Sequence, residues 1–341
     1  MKNVKTLIIV ALMGASLFAS TTRTNALGGA GFWAEDYANV ASFPADVNNH
    51  NVAWTDGTDF TSIFDANGTT WGFTGGSDND VVNMMWGNGS MGVSFGLGMT
   101  PEMKMEDGDL MDADAETAMN IGFGMPLAGM DFGFTYGMGC DECGGGNVGV
   151  NLRRAQNVWL WDTMLIGFGM LMEEKEEDVV LTPSNMNFGA SFYSNKEYAS
   201  GTNGLFAFGF AYNAPGDPDG DGEAEAPDAA MSINWNFAVE SAMTDWATLR
   251  VGYSHGYDFA NGGTDVAASD DTMNCGDSMD EACGNAVEQN GGLSLGLGFN
   301  YGSFNLDMSI SEGIFNDPVK YMTGRNFDTP LGANWTISYA W

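Results

Sequence analysis

The last nine residues, Ala333-Asn334-Trp335-Thr336-Ile337-Ser338-Tyr339-Ala340-Trp341, place a large apolar side chain at every second position. An extended strand points alternate side chains to opposite faces, so this spacing makes one apolar face and one small polar face. The same period recurs. Met231, Ile233, Trp235, Phe237 and Val239 alternate with Ser232, Asn234, Asn236, Ala238 and Glu240. Leu293 to Tyr301 alternates with Ser294, Gly296, Gly298 and Asn300, and Phe304, Leu306, Met308 and Ile310 alternate with Asn305, Asp307, Ser309 and Ser311. Further copies run through 119–125, 130–136 and 206–212, with weaker ones near 91–99, 147–154, 158–172, 184–194 and 246–256. Many have the roughly 9–11 residues that a tilted strand needs to cross a bilayer.

The connections between these strands alternate in length. Tight turns are expected at Gly87-Asn88-Gly89, Pro126 to Gly129, Ala155-Gln156-Asn157, Thr244-Asp245 and Gly302. Long polar loops fall near 100–116, 137–147, 173–183, 213–229, 257–291 and 312–332. Counted back from Trp341, every short turn falls on one side. Bacterial membrane barrels are built this way, with short periplasmic turns and long external loops; a soluble two-sheet sandwich has no such constraint. The fold class is therefore all-β: a transmembrane, antiparallel, up-and-down β-barrel. Sixteen strands are candidates, but the first two (about 50–54 and 58–64) are short, so the expected count is 14, within a range of 12–16.

No run of 18 apolar residues exists to form a membrane helix, and in lipid only helices and closed barrels satisfy every backbone polar group. Lys2 and Lys5 precede an apolar stretch from Leu7 to Phe18 and then Ser20-Thr21-Thr22, the pattern of a secretory signal cleaved after Ala19. No Cys follows it, which argues against a lipoprotein. The expected division is a signal at 1–19, a head segment at 20–49 and a barrel at 50–341. The terminal aromatic strand resembles the signal read by barrel-assembly machinery. The expected location is the outer membrane of a Gram-negative-type bacterium, with outer-membrane lipid and that machinery as partners.

Composition changes the picture in two ways. Lys+Arg number 11 against Asp+Glu 45, a net charge of −34, which repels phosphate and excludes nucleic acid as a partner. Such a surface also attracts cations, and an acidic surface suits a salty habitat equally well. Secondly, the face opposite the apolar one is mostly Gly, Ser, Asn and Ala. Its few charges include Asp131, Arg153, Glu240, Arg250 and Asp307, the candidate lumen residues. Asn234, Asn236 and Ser309 belong to the same face and are expected to tolerate charge. So small an inner face implies tightly coiled strands or a lumen filled by something else, and the segment before the first strand is the candidate filler.

That segment, Arg23 to Ala45, contains Leu27-Gly28-Gly29-Ala30, then Glu35-Asp36, then Phe43-Pro44-Ala45. It resembles the N-terminal head of barrels similar to the long-chain fatty-acid transporter and the related secretion-associated barrels. Their pattern is Leu-Gly-Gly-Ala, an acidic pair and Asn-Pro-Ala; Phe43 departs from it. The resemblance implies a head that enters the barrel as a plug and a lumen that passes hydrophobic molecules. The expected function is passive transport of small or hydrophobic molecules through a partly plugged lumen. The alternative is a non-transporting surface barrel with acidic, cation-binding external loops.

Other chemistry is sparse. Asp217, Asp219, Asp221, Glu223, Glu225 and Asp228 follow calcium-loop spacing, with Gly222 at the sharp turn. A solvated acidic loop fits the same residues. Asp228 stands where the usual loop has a longer Glu, so any Ca²⁺ site would be weak. Cys140, Cys143, Cys275 and Cys283 form two close pairs. In an exported protein disulfides are the default; three connectivities are open, the two local bridges being favoured, with zinc the minor alternative. Glu173 to Asp178 is a charge run expected in a solvated loop. The histidines are His50 and His255; His255 and Ser254 are strand neighbours and point to opposite faces, so they form no catalytic pair. No enzyme is expected.

Overall fold

The computed structural model describes residues 21–29, 31–76, 80–100, 116–138, 146–176, 179–199, 201–216, 229–258, 291–310 and 333–341. The strands are β1 (Val52–Thr55), β2 (Phe60–Ala66), β3 (Thr69–Gly75), β4 (Asp80–Gly87), β5 (Gly92–Thr100) and β6 (Glu116–Leu127). Then come β7 (Met130–Met138), β8 (Asn147–Val158), β9 (Trp161–Leu171), β10 (Glu174–Glu176), β11 (Val179–Thr182) and β12 (Asn185–Ala199). The last six are β13 (Thr202–Pro215), β14 (Ala230–Thr244), β15 (Ala247–Asp258), β16 (Gly291–Tyr301), β17 (Phe304–Ile310) and β18 (Ala333–Ala340). All but β10 and β11 form one closed antiparallel barrel of 16 strands.

The count of 14 is thus corrected to 16. The two short N-terminal candidates are wall strands. β1 pairs with β18 from Val52↔Ala340 to Thr55↔Ile337, and with β2 from Val52↔Ile63 to Thr55↔Phe60. Without them β3 and β18 would be bare edges, which a barrel wall in lipid does not leave open. Strand length alone hid them: four residues carry too little alternation to read.

The two-residue turns lie at the end of the barrel where β1 begins and β18 finishes, whereas the four-residue link 56–59 between β1 and β2 lies at the other end. At Asn67–Gly68 both residues have positive φ (59° and 78°), the two-residue hairpin that matches strand twist. The turn expected at 155–157 lies within β8; the reversal is instead at Trp159–Leu160, with Trp159 at φ 51°. The charge run at 173–178 is not simply loop, because Glu174–Glu176 pairs with Val179–Thr182 as a small hairpin.

Alternation sets the two faces. On β18, Trp335, Ile337 and Tyr339 are about 40% exposed, whereas Thr336, Ser338 and Ala340 are 6% or less. On β14, Phe237 and Val239 are exposed while Asn236, Ala238 and Glu240 are buried. Among the described residues no helix is long and apolar enough to cross a membrane. An apolar outer belt around a closed sheet with a polar inner face is the architecture of an outer-membrane barrel.

Residues 21–50 hold a short helix, Thr21–Leu27, and two 3₁₀ turns, Tyr37–Ala41 and Pro44–Asn49. These carry the most deeply buried large side chains of the described chain, including Trp33, Tyr37, Phe43, Leu27 and Val47. The core of the molecule lies where this head meets the inner wall.

Candidate functional site

The head is folded on itself first. Asn39 accepts from the Gly31 amide through Oδ1 (2.6 Å) and donates from Nδ2 to the Trp33 carbonyl (2.7 Å), closing the loop between helix and 3₁₀ turn. Asp36 caps the first 3₁₀ turn by accepting from the Ala38 amide.

Its backbone then lies directly on glycines of the wall. A Cβ at Gly92 would overlap the Pro44 carbonyl, one at Gly133 the Ser42 carbonyl, and one at Gly124 would come within 2.5 Å of the Ala45 nitrogen. Across the barrel, a Cβ at Gly252 would meet the Ala26 carbonyl at 2.6 Å and one at Gly296 the Ala26 side chain at 2.5 Å. These are distances that real Cβ atoms do not occupy. The smallness of the inner face is therefore a backbone-width seat for the head. Wall amides and hydroxyls complete it: Asn236 donates to the Gly28 carbonyl (3.2 Å), Ser294 to the Ala26 carbonyl (3.0 Å) and Asn151 to the Ser42 carbonyl (3.4 Å).

Two ion-pair clusters fix the head at opposite sectors. In the first, Arg23 donates to Glu240 in a bidentate pair (Nε–Oε2 2.7 Å, Nη2–Oε1 3.0 Å). Arg250 donates to the same Glu240 Oε2 (2.6 Å) and to Asp307 (2.6 Å). All four side chains are at least nine-tenths buried, and Glu35 stands 3.5 Å from Arg23. In the second, Arg153 donates to Asp46 of the head (3.0 Å) and to half-exposed Asp131 of the wall (2.9 Å), with its guanidinium over the Phe43 ring. A buried charge that is both paired and hydrogen-bonded is tolerated where a lone one is not.

Apolar contacts hold the head along β12–β14 and, separately, along β1 and β2. Leu27 and Trp33 pack with Tyr193, Leu205, Ala207 and Ala238, flanked by Phe32 and Leu165. Val40 and Val47 pack with Ile63, and Tyr37 stacks on Trp54 at 4.1 Å. His50 is buried edge-on to Tyr37. Burial lowers its pKa to about 4, whereas burial, partly opposed by Arg23, raises that of Asp36 to about 7.

Of the candidate lumen residues, Glu240, Arg250 and Asp307 meet in one cluster and Asp131 and Arg153 in the other. The periodicity reading did not single out Arg23 and Asp46, the head's partners in these pairs. A signal for Arg23 was present, since it is the only Lys or Arg between Lys5 and Lys104. Asn234 is exposed on the inner face, but Asn236 and Ser309 are buried. The expectation that all three tolerate charge is corrected to Asn234 alone. His255 lies on the outer face beside Trp235, 4.8 Å between rings. Residues 1–20, the acidic loop 217–228 and the four cysteines lie outside the described residues. Among the described residues no group of three His, Cys, Asp or Glu side chains is arranged to hold a metal ion.

No protein-family model and no curated relative matches this sequence. Solved structures similar to it are barrels. An anion-selective porin from Comamonas acidovorans is 12% identical, with a TM-score of 0.40 over 85% of this chain and 96% of that one. A loop-deletion mutant of OmpT, an outer membrane protein of Vibrio cholerae, is 10% identical, with a TM-score of 0.42 over 83% and 89%. A bacterial polysaccharide outer membrane secretin is 8% identical, with a TM-score of 0.44 over 86% and 99%.

Proposed function

We propose that this chain is a passive transport barrel of the outer membrane of a Gram-negative-type bacterium, its lumen partly plugged by the head at residues 20–49. The observation that carries the reading is the seat itself. A wall that carries glycine under much of the head backbone, with ion pairs at opposite sectors, is suited to holding a plug in a defined place. The resemblance of Leu27-Gly28-Gly29-Ala30 and Glu35-Asp36 to the heads of fatty-acid-transporter-like barrels supports the same reading. Of the two solute classes expected from the sequence, small polar molecules fit better. Beyond the head the inner face carries Asn83, Asn120, Asn147, Asn187, Asn213 and Asn234, an amide lining that solvates polar solutes and offers little to an acyl chain.

The depth at which the anchors are buried favours a second reading, a closed scaffold whose acidic loops bind cations. Liposome swelling separates the two. The full-length protein is compared with an Arg23→Ser/Asp46→Asn double variant, which releases both head anchors. Glu240 remains paired to Arg250, and Arg153 to Asp131. Transport predicts measurable uptake of a small sugar by the wild type and faster uptake by the variant. Two inert proteins, both shifting on heating as folded barrels do, would sink transport and leave the scaffold.

A further inference from the structure

Two cavities flank the head, and Phe32 borders both. One, of about 590 Å³, opens at the turn end between Phe32–Glu35 and the wall of β7–β9, β12 and β13; its lining includes Asp131, Arg153, Asp162, Tyr193 and Glu197. The other, of about 260 Å³, lies toward the long-loop end, lined by Gly28, Ser191, Asn234, Asn236 and Ser254. Between them stand two rings, Phe32 of the head and Tyr193 of β12, edge to face at 5.3 Å. Residues 42–45 lie against Gly92, Gly124 and Gly133, and Ala26 lies against Gly252 and Gly296. In the sector of β9, β12 and β13 it is side chains, Phe32 of the head with Leu165 and Tyr193 of the wall, that separate head from wall.

We propose that solutes pass the docked head through this side passage, that the Phe32 ring is its gate, and that the passage favours small neutral and cationic solutes over anions. The inference rests on the transport reading. Tyr193 is the fixed jamb: it is 3% exposed and its hydroxyl is hydrogen-bonded to Thr163. Phe32 is only partly buried and follows Gly31, whose φ of 89° turns the chain toward the wall. A rotation of one ring therefore joins the two cavities while the Arg23 and Asp46 anchors stay made. The charge preference follows from the linings. The loop-side cavity mixes amides and hydroxyls with glycines, Phe32, Ala207, Trp235 and His255 and has no carboxylate, whereas the turn-side cavity has four carboxylates, Glu35, Asp131, Asp162 and Glu197, against the single guanidinium of Arg153. A narrow path lined by excess negative charge raises local cation concentration and repels anions.

The test uses full-length protein in proteoliposomes and planar bilayers. Phe32→Ala should raise arabinose-driven swelling several-fold, Phe32→Leu less, and Phe32→Trp should lower it, with the head remaining resistant to protease in all three. In a KCl gradient the zero-current potential should have the sign of cation preference and move toward zero in Glu197→Gln with Asp131→Asn. If the Arg23→Ser/Asp46→Asn variant swells quickly while all three Phe32 variants match wild type, solutes pass by displacement of the whole head. The gate is then wrong although transport stands. An anion-preferring potential would overturn the charge assignment. Inert liposomes for every variant, the anchor-released one included, would overturn gate and transport together.

Discussion

Asn234 and Asn236 are the same residue type on the same face of the same strand, one zigzag apart, and they live in different solvents. Asn236 is 5% exposed and donates to the carbonyl of Gly28 in the head. Asn234 is exposed on the inner face and lines the loop-side cavity. The inner wall is therefore two surfaces. One is a seat, where space is measured to a backbone and every charge has a partner. The other is an open wall, where amides face water. A strand's period of two separates lumen from lipid; it carries no information about which part of the lumen is covered.

The largest effect is expected in the seat's first ion-pair cluster. Glu240→Ala leaves Arg23 and Arg250 facing each other in a buried site without the carboxylate that bridges them, Arg250 keeping Asp307 and Arg23 the more distant Glu35. Removing one partner of a buried pair costs about 3–5 kcal/mol. The temperature at which the barrel unfolds in detergent should drop, and the head should become protease-sensitive. Asn234→Ala, three zigzags away on the open wall, should do neither. Equal effects would erase the distinction between the two surfaces.

The glycines sharpen the comparison, because Gly92 and Gly189 both point inward. A side chain at Gly92 collides with the Pro44 carbonyl, whereas at Gly189 the nearest atom is the Phe210 carbonyl at 3.9 Å. Forcing atoms into a filled site costs about 1–3 kcal/mol. Gly92→Val should unseat the head, read as faster proteolysis within residues 20–49, and Gly189→Val should be close to wild type. Similar proteolysis in both would mean that the head does not depend on its glycine seat.

How much of this was legible beforehand differs by level. Alternation at Trp335–Trp341 and Met231–Glu240 put those apolar side chains on one face, and the short–long rhythm of connections fixed the parity of the hairpins. Those signals are strong because lipid demands an unbroken apolar belt. β1 and β2 were undercounted because four and seven residues suffice to close a sheet but not to declare a period. The glycine-rich inner face raised the question of what fills the lumen. Which glycine meets which head atom was out of reach, since it depends on contacts between residues as distant in sequence as Ala26 and Gly296. Arg23–Glu240 was hidden for the same reason: two lone charges separated by most of the chain have no spacing to read.

A smaller effect distinguishes the two asparagines directly. Asn236→Ala removes the donor to Gly28 and should weaken head docking by about 1 kcal/mol, the usual net worth of one hydrogen bond. Asn234→Ala should leave docking unchanged, as measured by hydrogen exchange at the Gly28–Gly29 amides. Equal protection in both variants would show that Asn236 is a bystander.

The smallest expected effect is one that the wild type conceals. Asp36 is held at about 7 against an ordinary 3.8, so the docked head binds a proton there that the free head has lost. Docking therefore weakens as pH rises from about 4 to 7. Asp46 is also raised by burial and acts in the same direction. His50 is held at about 4 against an ordinary 6.5, so the free head binds a proton that the docked head refuses. Docking therefore strengthens over nearly the same window. These contributions oppose one another, and the wild type should change little between pH 4.5 and 6.5, a range set by those pKa values. Asp36→Asn keeps an oxygen to accept from the Ala38 amide and removes the titrating carboxyl that dominates one side. Protease resistance of its head should then rise with pH across that interval. His50→Gln removes the other side, and resistance should fall with pH. A wild type, Asp36→Asn and His50→Gln that all respond alike would mean that neither group's pKa differs between the docked and the free head. The burial that raises one pKa and lowers the other would then be relieved by water reaching the seat.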